Sequence, residues 1–340
     1  MSKNPLVTVL IPTYNCEAYV KEAVMSILNQ TYTNFECIII DDASTDKTVS
    51  VLQSIKDSRI QLIIKPKNSG YTNSLNHGLS IAKGKYIARM DADDISLPER
   101  FIKQVSFLES NTNIVACGTN YSIIGSTKKI ILPENNEAIK LKLLKETCFG
   151  HPTVMLRKSV FDANGLQYDT TKEPAEDYAL WVTLLQFGAL ANIQECLLQY
   201  RLHAGQVSVT RRKKQLESKL ETRVQLLKYL NANLNAEAYT TVKQVLNKDS
   251  LTFKQLKEFV EIKNKLIQSN AVSFFKKDAF AKYLENINTL AVEKYFTNRK
   301  QFYPNTFLQY FALRKSSAYQ LSLMQILRLV FKSIIFYQVK

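Results

Sequence analysis

Glycine is scarce in this chain: nine among 340 residues, and the earliest is Gly70. The first β-type run, at positions 7–11, is therefore followed by no glycine loop. That excludes a P-loop or a G-x-G-x-x-G fingerprint at the first strand end, and with it P-loop kinases and dinucleotide dehydrogenases. Sugar nucleotidyltransferases, which need a glycine-rich loop at that place, are disfavoured too. Cysteine is sparse as well. Cys16, Cys37, Cys117, Cys148 and Cys196 are odd in number and form no C-x-x-C pair, so neither a disulfide framework nor a zinc site is expected and most should be buried small hydrophobes. No apolar run reaches the ~20 residues that span a bilayer. The tail at 321–339 is interrupted by Gln325, Arg328 and Lys332 and reads as an amphipathic helix lying on a surface. The first residues carry no basic stretch followed by an apolar run and a cleavage site. A cytoplasmic protein, peripheral to the inner face of the plasma membrane, is the expectation.

What is present is apolar enough, at 46% hydrophobic residues, to bury one large domain with room for an appendage. The formal charge of +15 is unevenly placed. Residues 1–210 hold 21 basic and 21 acidic side chains, whereas residues 211–340 hold 24 basic and 9 acidic ones and so the whole excess. This predicts a catalytic domain at 1–210 and a basic helical region at 211–340 that meets an anionic partner. No nucleic-acid motif accompanies the charge, so an anionic membrane surface or phosphorylated lipid acceptor is expected rather than nucleic acid.

Over the first 120 residues, short β-branched runs alternate with amphipathic stretches, the pattern of an α/β fold with a mostly parallel, Rossmann-like sheet and flanking helices. Strands are predicted at 7–11, 35–40, 60–64, 86–90 and 114–117, and helices at 17–29, 45–55, 71–82 and 97–109. For the last helix, Ser96 and Glu99 read as a capping box with Pro98 in the first turn. The segment 121–210 carries mixed signals apart from a helix at 177–187. From 215 to about 295 the pattern is helical throughout.

In such sheets ligands sit beyond the carboxyl ends of the strands. Strand one ends in Pro12-Thr13-Tyr14-Asn15, strand two in Asp41-Asp42-Ala43-Ser44-Thr45-Asp46 and strand four in Asp91-Ala92-Asp93-Asp94. Carboxylates and hydroxyls from three strand ends thus reach one rim. Asp91 and Asp93, two apart at a strand terminus, point to the same side, and oxygen ligands of this kind suit Mg²⁺ or Mn²⁺. With no glycine loop available, such a metal is the expected holder of a nucleotide diphosphate.

The blocks Val9-Leu10-Ile11-Pro12-Thr13-Tyr14-Asn15, Asn29-Gln30-Thr31, Ile40 to Asp46, Asn68-Ser69-Gly70, Ala82-Lys83-Gly84-Lys85-Tyr86-Ile87, Asp91 to Asp94, Ala175-Glu176-Asp177-Tyr178 and Tyr200-Arg201-Leu202-His203, in that order, resemble inverting glycosyltransferases of family 2, which have the GT-A fold. The resemblance spans residues 6 to about 210. It implies that Pro12 and Tyr14 line a uracil pocket, that Asp42 meets the base edge, and that Asp91 contacts ribose and metal. Asp93 would be the main metal ligand, with His203 near the diphosphate or metal. Asp177 resembles the catalytic base, with Glu176, Trp181 and His151 on the acceptor side. One departure stands out: Leu75 occupies a position where many relatives carry Arg, so Arg89 or Lys67 would have to supply any diphosphate contact.

Within the family, the blocks from Asn68 to Asn76, Tyr86 to Asp94, Ala175 to Trp181, and Tyr200 to Ala204 with Gln206-Val207-Ser208 look like bacterial β-1,3-N-acetylglucosaminyltransferases that extend lipooligosaccharide. The implied donor is UDP-N-acetylglucosamine and the implied acceptor a terminal β-galactose on a lipid-linked glycan.

Overall fold

Near-continuous apolar runs become the parallel strands of the sheet. β1 (Val7–Thr13), β2 (Phe35–Asp41), β3 (Ile60–Ile64) and β4 (Tyr86–Arg89) run parallel in the order β3-β2-β1-β4. α1 (Val20–Leu28), α2 (Thr48–Ser54), α3 (Tyr71–Ile81) and α4 (Arg100–Ser110) alternate with them along the chain. The computed structural model describes residues 4–203, 211–297, 302–303, 305–314 and 321–337. The chain divides into two units, Met1–Lys219 and Leu220–Lys340.

Beyond β4 the sheet becomes mixed. β8 (Met155–Arg157) lies antiparallel between β4 and β6 (Ile114–Ile123), and β9 (Ala189–Tyr200) runs parallel to β6. β5 (Ile95–Ser96) pairs antiparallel with β9, and β7 (Lys129–Ile130) with β6. α5 (Asn136–Leu143), α6 (Lys158–Asn164) and α7 (Glu176–Leu184) cover this half. The chain steps outward from β1 to β2 and β3, then returns to the other side of β1 with β4. That reversal opens a crevice at the carboxyl ends of β1 and β4.

Two local features fix β4 in place. Gly84, just before the strand, donates its N–H to Thr8 Oγ1 at 2.8 Å, and a Cβ there would come within 2.4 Å of the Thr8 backbone nitrogen. Only glycine allows this approach. At the far end, the buried Arg100 donates to the Arg89 carbonyl at 2.7 Å and to Gln104 at 3.0 Å. Burial pulls the Arg100 guanidinium down to about 9.

The first five predicted strands and four predicted helices are found within a few residues, β6 running six residues further than expected. The capping box at Ser96 is not formed. Ser96 belongs to β5, where it pairs with Leu198, and its hydroxyl accepts from Gln30 Nε2 at 3.2 Å. The helix starts later, with Glu99 at the N-cap and no side-chain cap. Tertiary pairing has overridden a local signal. Among the cysteines, Cys37, Cys117 and Cys148 are buried and free, and burial raises the first two to about 12.

In the second unit, α8 (Arg212–Lys228), which begins in the first, leads into α9 (Ala236–Leu246), α10 (Phe253–Ser269), α11 (Lys277–Thr297), α12 (Asn305–Arg314) and α13 (Leu323–Ile334). Leu256, Val260, Val292, Phe296 and Tyr310 form its core with Leu313, Leu321 and Leu329. Among the described residues no helix is long and apolar enough to cross a membrane.

Candidate active site

The end of β4 supplies the carboxylates. Asp91, Asp93 and Asp94 bring oxygens within 4.8 Å of one another. Asp91 is ion-paired to Arg89 at 2.5 Å, Asp93 Oδ2 lies 2.8 Å from His203 Nε2, and Asp94 Oδ1 accepts from the Arg201 backbone N–H at 2.8 Å. Arg201 also donates from its guanidinium to the Asp93 carbonyl at 2.7 Å. The segment after β9 therefore clasps the acidic turn. Asp94, fully buried, has Oδ2 without a hydrogen-bond partner, and burial, then the charges of Asp91 and Asp93, push its carboxyl up to about 9. Asp93 is also raised, by burial and then by Asp91. Crowded acids with an unpartnered oxygen fit a hard divalent cation, and an all-oxygen set suits Mg²⁺ or Mn²⁺. Asp94 joins the expected pair, while His203 enters as a partner of Asp93.

Opposite lies the first turn of α7. Glu176 is buried and accepts from the Tyr71 hydroxyl, with Oε2 unpartnered. Burial, then the charge of Asp177, pushes Glu176 up to about 8, so it carries its proton at neutral pH. Asp177 is only half-buried and its carboxyl is raised, chiefly by burial. Lys219, Arg89 and the N–H of Tyr178 favour its charged form. Keeping Glu176 neutral removes a like charge from beside Asp177, the less buried of the two.

The charge of Arg89 reaches both acidic groups, acting on Asp93, Asp94, Glu176 and Asp177. Its side chain is buried, and Nε and Nη1 lack partners. Leu75 is buried, and Arg89, expected to supply a diphosphate contact in its place, is ion-paired to Asp91 through Nη2.

The nucleotide side is built by loops. Tyr14 is about half exposed and Pro12 partly so. Asn15, at φ 48°, accepts from the Thr45 N–H at 2.8 Å while its own N–H donates to Ser44 Oγ at 2.9 Å, which joins the ends of β1 and β2. Asp42, expected at a base edge, is held by the loop that follows β3. It is buried, and its oxygens accept from Lys65 Nζ at 2.5 Å and from the N–H groups of Ser69 and Gly70 at 3.0 and 2.8 Å. The carboxylate thus ties the 65–70 loop to β2.

From that loop α3 crosses to the α7 side. Gly70, at φ 90°, leaves the Glu173 carboxylate 3.1 Å from where a Cβ would sit. Thr72 donates to Glu173 at 2.7 Å, and Asn76 makes two hydrogen bonds with the backbone of Tyr168 at 2.9 and 2.8 Å. Tyr71, Thr72, Glu173 and Asn76 were not expected from sequence, because each pairing spans some 90–105 residues. Trp181 and Glu176, expected on the acceptor side, are both buried. Trp181 is fully buried, edge-on to Phe149 at 5.0 Å and to His151 at 5.7 Å. His151 is half-buried with Nε2 2.9 Å from the buried Tyr168 hydroxyl, and burial holds it well below the usual histidine range. Residues 204–208, part of the closer resemblance, lie outside the described residues.

Residues 8–165 match the family model described as glycosyl transferase family 2. An uncharacterized glycosyltransferase of Haemophilus influenzae is 39% identical over 68% of this chain and 76% of its own length. The UDP-Glc:alpha-D-GlcNAc-diphosphoundecaprenol beta-1,3-glucosyltransferase WfaP of Escherichia coli is 36% identical over 61% of this chain and 81% of its own. The crystal structure of S. aureus TarS 1-349 in complex with UDP-GlcNAc superimposes with a TM-score of 0.58 at 16% identity, covering 93% of this chain and 94% of that one. At that identity the likeness is one of fold, and the shared fold is that of GT-A glycosyltransferases.

Proposed function

The chain belongs to glycosyl transferase family 2, and we propose that it moves one sugar, with inversion, from a UDP-sugar to a hydroxyl of a lipid-linked bacterial surface glycan. The observation that carries this reading is the presence of two acidic groups of different character, both reached by the charge of Arg89. One is a crowded oxygen cluster at a strand end, the other a half-buried carboxylate beside an acid that burial raises.

Asp91 and Asp93, with Asp94 behind them, would hold Mn²⁺ or Mg²⁺. The bound ion offsets the charge of a diphosphate. Pro12 and Tyr14 border the uracil, and the 65–70 loop held by Asp42 closes that side. His203 and Arg201 keep the acidic turn in shape. A single displacement at the anomeric carbon needs the attacking hydroxyl to lose its proton as the bond forms, and Asp177, anionic and partly exposed, accepts it. Glu176 and Tyr71 fix the first turn of α7, and His151, Tyr168 and Trp181 form the wall beneath the acceptor.

For the donor we propose UDP-N-acetylglucosamine, and for the acceptor a terminal galactose, joined β-1,3; this rests on the sequence blocks around Asn68, Asp91, Glu176 and Arg201. A second reading, glucose from UDP-glucose to a GlcNAc-diphosphate lipid, is favoured by the similarity to WfaP. The chain works at the cytoplasmic face, where UDP-sugars are made. Incubation with Mn²⁺, each of UDP-GlcNAc, UDP-GalNAc, UDP-Gal and UDP-Glc, and either lactose or a GlcNAc-diphosphate lipid decides between them. A β-1,3-GlcNAc-galactose product by NMR supports the first, and turnover only of UDP-Glc on the lipid supports the second. Absence of UDP release from every pair would overturn both.

A further inference from the structure

α13 is attached to its own unit along a narrow seam. Leu329 and Ser333 are buried, and Ser322 and Gln325 form a reciprocal capping box that fixes its first turn. The other side is bare. Leu323, Met324, Leu327, Phe331 and Ile334 are each between 57% and 74% exposed. At 3.6 residues per turn these five share one arc of about 100°, with Arg328 beside it and Lys332 further round toward the buried seam. The Lys332 ammonium sits 5.0 Å from the rings of Phe302 and Tyr337. From Lys294 to the end, the sequence holds eight Lys and Arg and neither Asp nor Glu.

A contiguous exposed apolar stripe with a cationic flank marks an interaction surface. Twelve residues of helix extend about 18 Å, short of the ~30 Å hydrocarbon core. The helix can lie on a bilayer but not cross it. We propose that this face of α13 docks on an anionic lipid surface, with the apolar arc at the acyl boundary and Arg328 at headgroup phosphates. Charge selects the occupant. A second copy would bring the same acid-free flank against itself, whereas an anionic bilayer complements it. The inference is independent of which sugar the first unit transfers.

The full chain is sedimented with vesicles of phosphatidylcholine alone and of equal parts phosphatidylcholine and phosphatidylglycerol, and its oligomeric state is measured by sedimentation velocity without lipid. Wild type is expected to bind the anionic vesicles, to prefer them to the neutral ones, and to be released by salt. Leu327→Ser with Phe331→Ser weakens that binding at least about tenfold by removing two side chains from the acyl boundary. Arg328→Glu, which leaves the arc intact, weakens it about tenfold or more. Both positions are exposed, so the fold is spared, and UDP affinity measured alongside serves as the check. Equal binding by wild type and both variants would overturn the proposal, as would absence of binding by wild type. A wild-type dimer that the double variant converts to monomer, with no vesicle binding, would assign the face to a second copy instead.

Discussion

The most informative single side chain is Glu176. It sits beside the proposed base, is buried, and keeps its proton up to about pH 8, where a solvated glutamate would lose it near 4.5. A raised acid means that the folded state holds a proton the unfolded chain has released. Its contribution is therefore present below the unfolded value and is lost as pH rises from about 4.5 to 8, by up to ~1.4 kcal/mol per unit. Glu176→Gln copies the protonated form. The variant should keep transfer within a few-fold of wild type, and its stability advantage over wild type in urea titrations should grow from pH 5 to pH 8. A difference flat with pH would mean that Glu176 ionises in the folded protein. Asp91, Asp93, His203 and Asp177 were legible from sequence because each lies in a short motif. Tyr71 and Arg89 were not given their roles, because these depend on partners brought near by the sheet.

Among the elements, legibility followed the range of the interactions that make them. β1, β2 and β4 announce themselves as apolar runs because both faces are covered, and β3 does so by its Ile and Leu residues although none is fully buried. β9 does not, since Ala189–Tyr200 mixes Asn192, Gln194 and Glu195 into the run and its ladder with β6 shifts register between Thr119 and Ser122. Its strand character comes from pairing some 75 residues away. The short β5 shows the same cause, because its two ladder partners on β9 displaced the local cap that Ser96 and Glu99 spell out. Gln30 holds that junction. Buried, it donates from Nε2 to Ser26 O, Ser96 Oγ and Leu97 O at 3.2, 3.2 and 2.8 Å and accepts the Phe101 N–H at 3.1 Å. Gln30→Ala strands those partners and should cost roughly 2–4 kcal/mol, read as a lower urea midpoint. A change under ~0.5 kcal/mol would mean that water replaces the amide.

For the whole molecule, sequence charge and structure meet in one division of labour. The neutral first part builds the rim, and the basic second part ends in the bare face of α13. The fold carries two carboxylate sets that sequence alone placed in different motifs, one after β4 and one in the first turn of α7, and the charge of Arg89 acts on both. They have separate tasks, and one calorimetric measurement separates them: UDP titrated in the presence and absence of Mn²⁺ into Asp93→Ala and Asp177→Asn. The first variant should lose metal-dependent UDP binding, because its carboxylate is at the centre of the cluster. The second should bind UDP and Mn²⁺ like wild type while transfer falls by about 10²–10⁴-fold, the usual contribution of a positioned base. Metal-dependent affinity that survives in Asp93→Ala, or is lost in Asp177→Asn, would contradict the assignment of the two sets.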